Sequence, residues 1–223
     1  MRDDLAIIIP ALNEAATIGG IVASLRDSGR VIVVDDGSTD NTGRIASDSG
    51  ALVITHEVNR GYDAALDSGF ARASELDCVY AVTLDADGQH PEAKIAEFVS
   101  ALDQGADLVL GIRDQLQRFG ESAFAFAARL RFGIRDPLCG MKGYRLDLYR
   151  SLGHFDSYSS IGTELMLYGA AKGARIVQVA LETRERADAP RFGRAFRANM
   201  RILRAMTVGL KHYGIFAHGQ SRR

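Results

Sequence analysis

No apolar run in this 223-residue chain approaches the roughly 18 residues needed to span a bilayer. Met1-Arg2-Asp3-Asp4 leads directly into a strand-like segment, without the apolar stretch and small-residue cleavage site of a secretory leader. Only two cysteines occur, Cys78 and Cys139, which make neither a disulfide framework nor a metal-binding spacing. These absences give the expectation of a reduced, cytoplasmic protein. There is also no internal repeat, low-complexity tract or linker, and one domain is expected.

What is present is ordinary for a folded protein: 47% apolar and 25% charged residues. The net charge of −1 hides an asymmetry. Residues 1–183 hold 17 basic and 26 acidic side chains, whereas residues 184–223 hold 10 basic and 2 acidic ones. A cationic end on an anionic body predicts an anionic neighbour there: a phosphate, a lipid surface or the body itself.

Leu5 to Pro10, Val31 to Val34, Ala51 to Thr55, Cys78 to Leu84 and Asp107 to Gly111 read as strands. Helices are expected between them: one through Ile18, Ile21 and Leu25, a short one ending near Ser47, one over 62–73 and one from Pro91 to Gln104. This alternation predicts a mostly parallel, doubly wound α/β sheet. Further on, Phe119, Ala123, Phe126 and Leu130 share one helical face. Helices are expected over 145–152 and 162–172, a strand over 175–179, and a last helix from Gly193 or Arg194.

Ligands of open parallel sheets sit at the carboxyl ends of the strands. Asn13-Glu14, Asp35-Asp36 and Asp85-Ala86-Asp87 all fall there, and such a gathering of acids calls for a cation or for ligand donors. Asp85 and Asp87 can approach one ion, and hard oxygen ligands suit Mg²⁺ or Mn²⁺, with Gln89 a further ligand. On residue types alone, Asp-Ala-Asp-Gly is equally good turn chemistry, and Asp35-Asp36-Gly37-Ser38 equally a capped strand-to-helix turn.

The ordered set Ile9-Pro10-Ala11-Leu12-Asn13-Glu14, Val33-Val34-Asp35-Asp36-Gly37-Ser38-Thr39-Asp40, Asn59-Arg60-Gly61, Asp85-Ala86-Asp87-Gly88-Gln89-His90 and Gly111-Ile112-Arg113 resembles family 2 glycosyltransferases. Within them it is similar to the dolichyl-phosphate mannosyltransferase group and its bacterial relatives in surface-polysaccharide synthesis, as is Asp136-Pro137-Leu138-Cys139-Gly140-Met141-Lys142. The resemblance implies a single GT-A (Rossmann-like) domain, inverting transfer from a nucleotide-diphosphate sugar, and a divalent metal at Asp85, Asp87 and Gln89. It puts the nucleotide sugar on Pro10, Leu12, Glu14, Val34, Asp35, Asp36, Asp85, Ala86 and Asp87. Arg113 matches an arginine that lies near the phosphates or the acceptor in that group. An arginine of the 186–194 stretch, Arg191, is a further phosphate partner. Where that group carries Arg-x-x-Gly-x-Ser-Lys, this chain has Arg191-Phe192-Gly193-Arg194-Ala195. A polyprenyl phosphate and a saccharide therefore both stand as acceptors.

A hydroxyl acceptor needs a general base, whereas an acceptor phosphate is already ionised. Glu164 is the base expected by resemblance, and it reads equally as a first-turn glutamate facing the helix dipole. Asp87, Arg113 and Glu164 are the expected catalytic set. Residues 1–193 form the expected glycosyltransferase domain and 194–223 a basic amphipathic helix and tail. That helix carries Arg194, Arg197, Arg201, Arg204 and Lys211 near one face and Phe196, Met200, Leu203, Met206, Leu210 and Tyr213 near the other. It suits peripheral contact with an anionic membrane on the inner face of the cell, or docking on the acidic body. Two other functions share this fold's chemistry. A nucleotidyltransferase would want a glycine-rich loop where Pro10-Ala11-Leu12-Asn13-Glu14 stands, and a non-catalytic nucleotide-binding subunit would not need Asp85, Asp87 and Arg113. Nothing in the sequence points to nucleic acid.

Overall fold

The computed structural model describes residues 2–88, 91–114, 118–182 and 195–214. Strand β1 (Arg2–Ala11) is followed by α1 (Ile18–Leu25), β2 (Gly29–Asp35), α2 (Thr42–Asp48), β3 (Leu52–Thr55), α3 (Tyr62–Glu75) and β4 (Tyr80–Thr83). A 3₁₀ turn over Glu92–Lys94 leads into α4 (Ile95–Asp103), β5 (Leu108–Arg113) and α5 (Phe119–Phe132). Then come β6 (Lys142–Arg145), α6 (Leu146–Leu152), α7 (Glu164–Ala171), β7 (Ile176–Leu181) and α8 (Ala195–Gly209), which runs into a π-helical turn over Leu210–Gly214.

The strands form one sheet in the order β3-β2-β1-β4-β6-β5-β7. Every pairing is parallel except those of β6, which is antiparallel to both β4 and β5. Strand β1 explains why the sheet is covered twice. Side chains alternate sides along a strand, so Leu5, Ile7, Ile9 and Ala11 enter one core while Ala6 and Ile8 enter the other. The first core is closed by α1 through Ile18, Ile21, Val22 and Leu25, and by α4 through Ile95, Phe98, Val99 and Leu102. Both sets have the i, i+3, i+4, i+7 spacing of an amphipathic helix. The second core is closed by α3, α5, α6, α7 and α8. Phe70 of α3 is its centre, stacked on Phe155 at 4.8 Å and edge-on to Tyr144 at 5.3 Å. The expected mostly parallel, doubly wound sheet is therefore present, with the C-terminal helix added.

Two features depart from the sequence expectation. The turn-rich segment after Asp136 does not pass directly into a helix: Lys142–Arg145 is a strand inserted between β4 and β5. Its four residues, Lys-Gly-Tyr-Arg, carry no apolar alternation, and Gly143 lets the side chains of Leu102, Val109 and Phe98 close over it. The second concerns helix faces. The apolar face Phe119, Ala123, Phe126 and Leu130 of α5 exists but looks outward, with Phe119 76%, Phe126 66% and Leu130 72% exposed. The helix instead buries Gly120, Glu121, Phe124, Ala125 and Ala128. Likewise α8 buries Ala198, Ile202, Ala205 and Gly209 and leaves Phe196 and Met200 outside. Gly120 permits the close approach of α5 to Asn199 and Ile202 of α8, while Phe124 and Ile202 are the large side chains that the two inner faces bury.

Candidate active site

The carboxyl ends of β1, β2 and β4 lie side by side because Ala11 pairs with Asp35 and Ile8 with Thr83. The loops leaving them are tied into one rim. Asn13 N donates to Ser38 Oγ at 2.9 Å, Thr39 N donates to Asn13 Oδ1 at 2.8 Å, and Glu14 N donates to Thr42 Oγ1 at 2.8 Å. The Thr17 hydroxyl, at the start of α1, donates to the Ala86 carbonyl at 2.7 Å and draws the loop after β4 into the same rim. Pro10, Leu12, Glu14, Val34, Asp35, Asp36, Asp85, Ala86 and Asp87 are thus gathered along this one edge. Gln89, His90 and Arg191 lie outside the described residues.

Asp35 and Asp36 leave β2 on opposite sides. Asp35 turns toward α2 and accepts Ser38 N at 2.9 Å. Asp36 turns toward α3 and is 4% exposed. It accepts Arg60 N at 2.9 Å and Gly61 N at 2.8 Å, and shares a 2.7 Å hydrogen bond with His56 Nδ1. His56 Nε2 in turn lies 3.0 Å from Ser68 Oγ. This buried Asp36–His56–Ser68 chain fixes the 59–61 segment at the entrance to α3, and no local pattern marked His56 for that part. Gly37 supports the same corner: its φ is +77°, and a Cβ there would meet Asn59 N at 2.6 Å.

Asp85 and Asp87 are half-buried at the end of β4. The Tyr62 hydroxyl donates to Asp85 Oδ1 at 3.0 Å. A Cβ on Gly140 would stand 2.0 Å from Asp85 Oδ2, so the glycine makes the room that this carboxylate occupies. Among the described residues no group of three or more His, Cys, Asp or Glu forms a ready-made cation cage. The two aspartates fit a divalent ion that keeps much of its sphere for water and phosphate oxygens, since both offer hard oxygens and one is braced from two sides.

Lys142, first residue of β6, is 3% exposed beneath this rim and donates to the Gly162 carbonyl at 3.2 Å. Burial lowers its pKa, opposed by the field of Cys139, Asp136 and Asp85. The sequence quoted Lys142 inside a motif without giving it a part. Cys139 is buried, and a Cβ on Gly111 would meet its Sγ at 2.7 Å; burial pushes the thiol up to about 12, which leaves it an inert packing group.

Arg113, at the end of β5, is held by Asp136 through Nε at 2.8 Å and Nη2 at 2.9 Å, and by Glu121 at 3.3 Å. Burial works most strongly against its charge, but these carboxylates outweigh it and raise the pKa. Arg113, Arg129 and Arg135 line an open cleft of about 330 Å³ with Asp136, Ile112 and Phe126.

Glu164 begins α7 and is 1% exposed. Its carboxylate accepts the Ser157 backbone N–H, the Ser157 hydroxyl at 2.8 Å and the Tyr213 hydroxyl at 2.7 Å, with His154 Nε2 at 3.3 Å. Burial, then Glu164, pushes the Tyr213 phenol up, so it remains a donor. The carboxylate joins the 154–157 loop to the C-terminal helical turn.

A mixed sheet wound on both faces, with an aspartate pair and further acidic loops along one edge, defines a nucleotide-binding transferase of the GT-A kind. Residues 6–152 match the glycosyl transferase family 2 model, and the chain belongs to that family and is a glycosyltransferase. It is 32% identical over 198 residues to a dolichyl-phosphate hexose transferase of Haloferax volcanii, covering 83% of this chain and 85% of that protein. It is 34% identical over 134 residues to a UDP-N-acetylglucosamine–dolichyl-phosphate N-acetylglucosaminyltransferase of Methanococcus voltae, covering 51% and 53%. Among solved structures it is similar to glucosyl-3-phosphoglycerate synthase from Mycobacterium tuberculosis in complex with Mn²⁺, uridine diphosphate and phosphoglyceric acid. That likeness has a TM-score of 0.76 and 26% identity, covering 95% of this chain and 78% of the other.

Proposed function

We propose that the chain transfers a sugar, with inversion, from a nucleotide-diphosphate sugar to a polyprenyl phosphate. The observation that carries the acceptor is the cleft at the end of β5. Arg113, Arg129, Arg135 and the exposed ring of Phe126 line it beside Asp136, which already pairs with Arg113. The exposed Arg129 and Arg135 suit a phosphate bearing a long apolar chain. In the reaction the bond from the anomeric carbon to the diphosphate breaks and a bond to the acceptor phosphate oxygen forms. The names of the Haloferax and Methanococcus relatives support a dolichyl-phosphate-like acceptor.

Asp85 and Asp87 hold the divalent ion in this reading, and the Mn²⁺ complex of the mycobacterial synthase supports the use of a divalent metal. When bound, the ion neutralises charge on the departing diphosphate. The chain's own residues do the rest. The rim from Pro10 to Glu14, with Asp35 and Ala86, receives the nucleoside, while Val34 is fully buried and supports the rim from the core. Asp36 acts by holding the 59–61 segment, because its oxygens are already occupied by internal donors. Arg113, paired with Asp136 and Glu121, braces the cleft wall and leaves the exposed Arg129 and Arg135 to meet the phosphate. Glu164 serves as a clamp in this reading: its enclosed, fully hydrogen-bonded carboxylate has no part as a base, and an ionised phosphate needs none.

The test is to incubate the protein and Mn²⁺ with a panel of nucleotide sugars and either a short polyprenyl phosphate or soluble saccharides. A sugar monophosphate lipid is the expected product. Transfer to saccharides with none to the lipid phosphate would overturn the acceptor reading while leaving the donor reading in place.

A further inference from the structure

We propose that the outer faces of α5 and α8 together form a docking platform for an anionic lipid surface. The two helices lie side by side and run the same way. Gly120 N donates to Asn199 Oδ1 at 2.9 Å at one end, and Arg131 Nε donates to the Gly214 carbonyl at 2.6 Å at the other. Phe124 and Ile202 point into the core, yet both helices also turn further large apolar side chains outward. Phe119, Phe126 and Leu130 repeat at helical spacing on α5, and Phe196 and Met200 at 75% and 51% exposure continue the surface on α8. Helical geometry sets the two stripes on the same side of the pair, 100° per residue placing each beside the α5–α8 contact. Five large side chains left in water on one helix pair are costly and mark a contact surface.

The charge around the stripes identifies the occupant. Exposed Arg129 and Arg135 border the α5 edge, and exposed Arg197, Arg201 and Arg204 border the α8 edge. Residues 195–214 contain no acidic side chain. An apolar strip between two cationic margins matches the boundary between acyl chains and anionic headgroups, with arginine stems lying along the apolar surface. A second copy of the chain would set these arginines against one another. The proposal rests on the lipid-acceptor reading in one respect: Phe126 belongs to both the platform and the acceptor cleft, so docking would bring the cleft to the membrane that carries the acceptor.

Flotation with vesicles tests this without donor or acceptor, so its outcome is separate from the transfer assay. Vesicles of phosphatidylcholine alone are compared with vesicles enriched in phosphatidylglycerol and lacking any polyprenyl phosphate. The chain should bind the anionic vesicles at least ~10-fold more and lose that binding as salt rises. The combined variant Phe119→Ser, Leu130→Ser, Phe196→Ser, Met200→Ser should bind at least ~10-fold less while keeping its circular dichroism and its cooperative thermal unfolding. Failure of the unaltered chain to bind anionic vesicles, or undiminished binding by the folded variant, would overturn the platform. So would light scattering that finds a dimer which the variant breaks, since the face would then belong to a second copy.

Discussion

Gly140 and Asp85 are in mutual contact such that a Cβ on the first would stand 2.0 Å from Oδ2 of the second. The acid that the sequence offers to a metal is therefore seated by a residue 55 positions away, in a segment that enters the sheet as an antiparallel strand. Gly140→Ala should displace the Asp85 carboxylate while leaving the cores intact. Turnover should fall about 10- to 100-fold, the scale of an ångström-sized misplacement of a reacting group. The Mn²⁺ concentration for half activity should rise in the same variant. Unchanged metal dependence would show that Asp85 has no such part.

Asp36 combines near-complete burial with three internal hydrogen bonds, to His56, Arg60 and Gly61. Asp36→Ala leaves those donors unpaired and should destabilise the fold by about 2–4 kcal/mol, the range for a broken buried charged network. Donor affinity should fall by about 1–3 kcal/mol through loosening of the 59–61 segment. Urea denaturation and calorimetric titration with a nucleoside diphosphate measure the two effects. A loss of affinity without any loss of stability would instead indicate direct contact with the nucleotide.

Asp63 in α3 accepts Gly162 N at 2.6 Å and Ile161 N at 3.2 Å. Burial, followed by the charge of Asp156, raises its carboxyl from 3.8 to about 6. Between those values the folded state holds more protons than the unfolded one. This group's contribution is therefore fullest below pH ~4 and is lost as the pH rises through about 6. Asp63→Asn should flatten that part of the stability profile relative to the unaltered chain. Parallel profiles from pH 4 to 7 by thermal denaturation would contradict the assignment.

Much of this architecture was legible because it is written in local runs. The apolar segments Leu5 to Pro10 and Val31 to Val34 end at polar loops, and strand ends are where such sheets bind ligands. Other parts depend on distant partners. His56 reaches Asp36 across 20 residues, and Tyr62 reaches Asp85 across 23. The four residues of β6 are too short and too polar to register as a strand. Helical spacing correctly placed Phe119, Phe126 and Leu130 on one face, but spacing cannot say which face a sheet will take. The inner position goes to Gly120, Glu121, Phe124, Ala125 and Ala128, of which Phe124 is as large and apolar as the residues left outside.

Glu164 and Tyr213 meet at 2.7 Å and tie the C-terminal turn to the body. Glu164→Gln replaces an acceptor oxygen, to which Ser157, His154 and Tyr213 are arranged to donate, with an NH₂ group, so the melting temperature should fall. Transfer to a polyprenyl phosphate should keep the same pH profile, because no proton leaves through this group. A large loss of turnover together with loss of the acidic limb of that profile, at unchanged stability, would return Glu164 to the role of base.

Metal-assisted transfer at the Asp85–Asp87 pair is open to a three-way comparison. Turnover of the nucleotide sugar is measured for the unaltered chain in Mn²⁺, for the same chain in EDTA, and for Asp87→Ala in Mn²⁺. The second and third should fall by at least roughly 10²-fold, the scale of removing a principal electrostatic group from the transition state, while circular dichroism is unchanged. Full turnover in EDTA, or in folded Asp87→Ala, would contradict it.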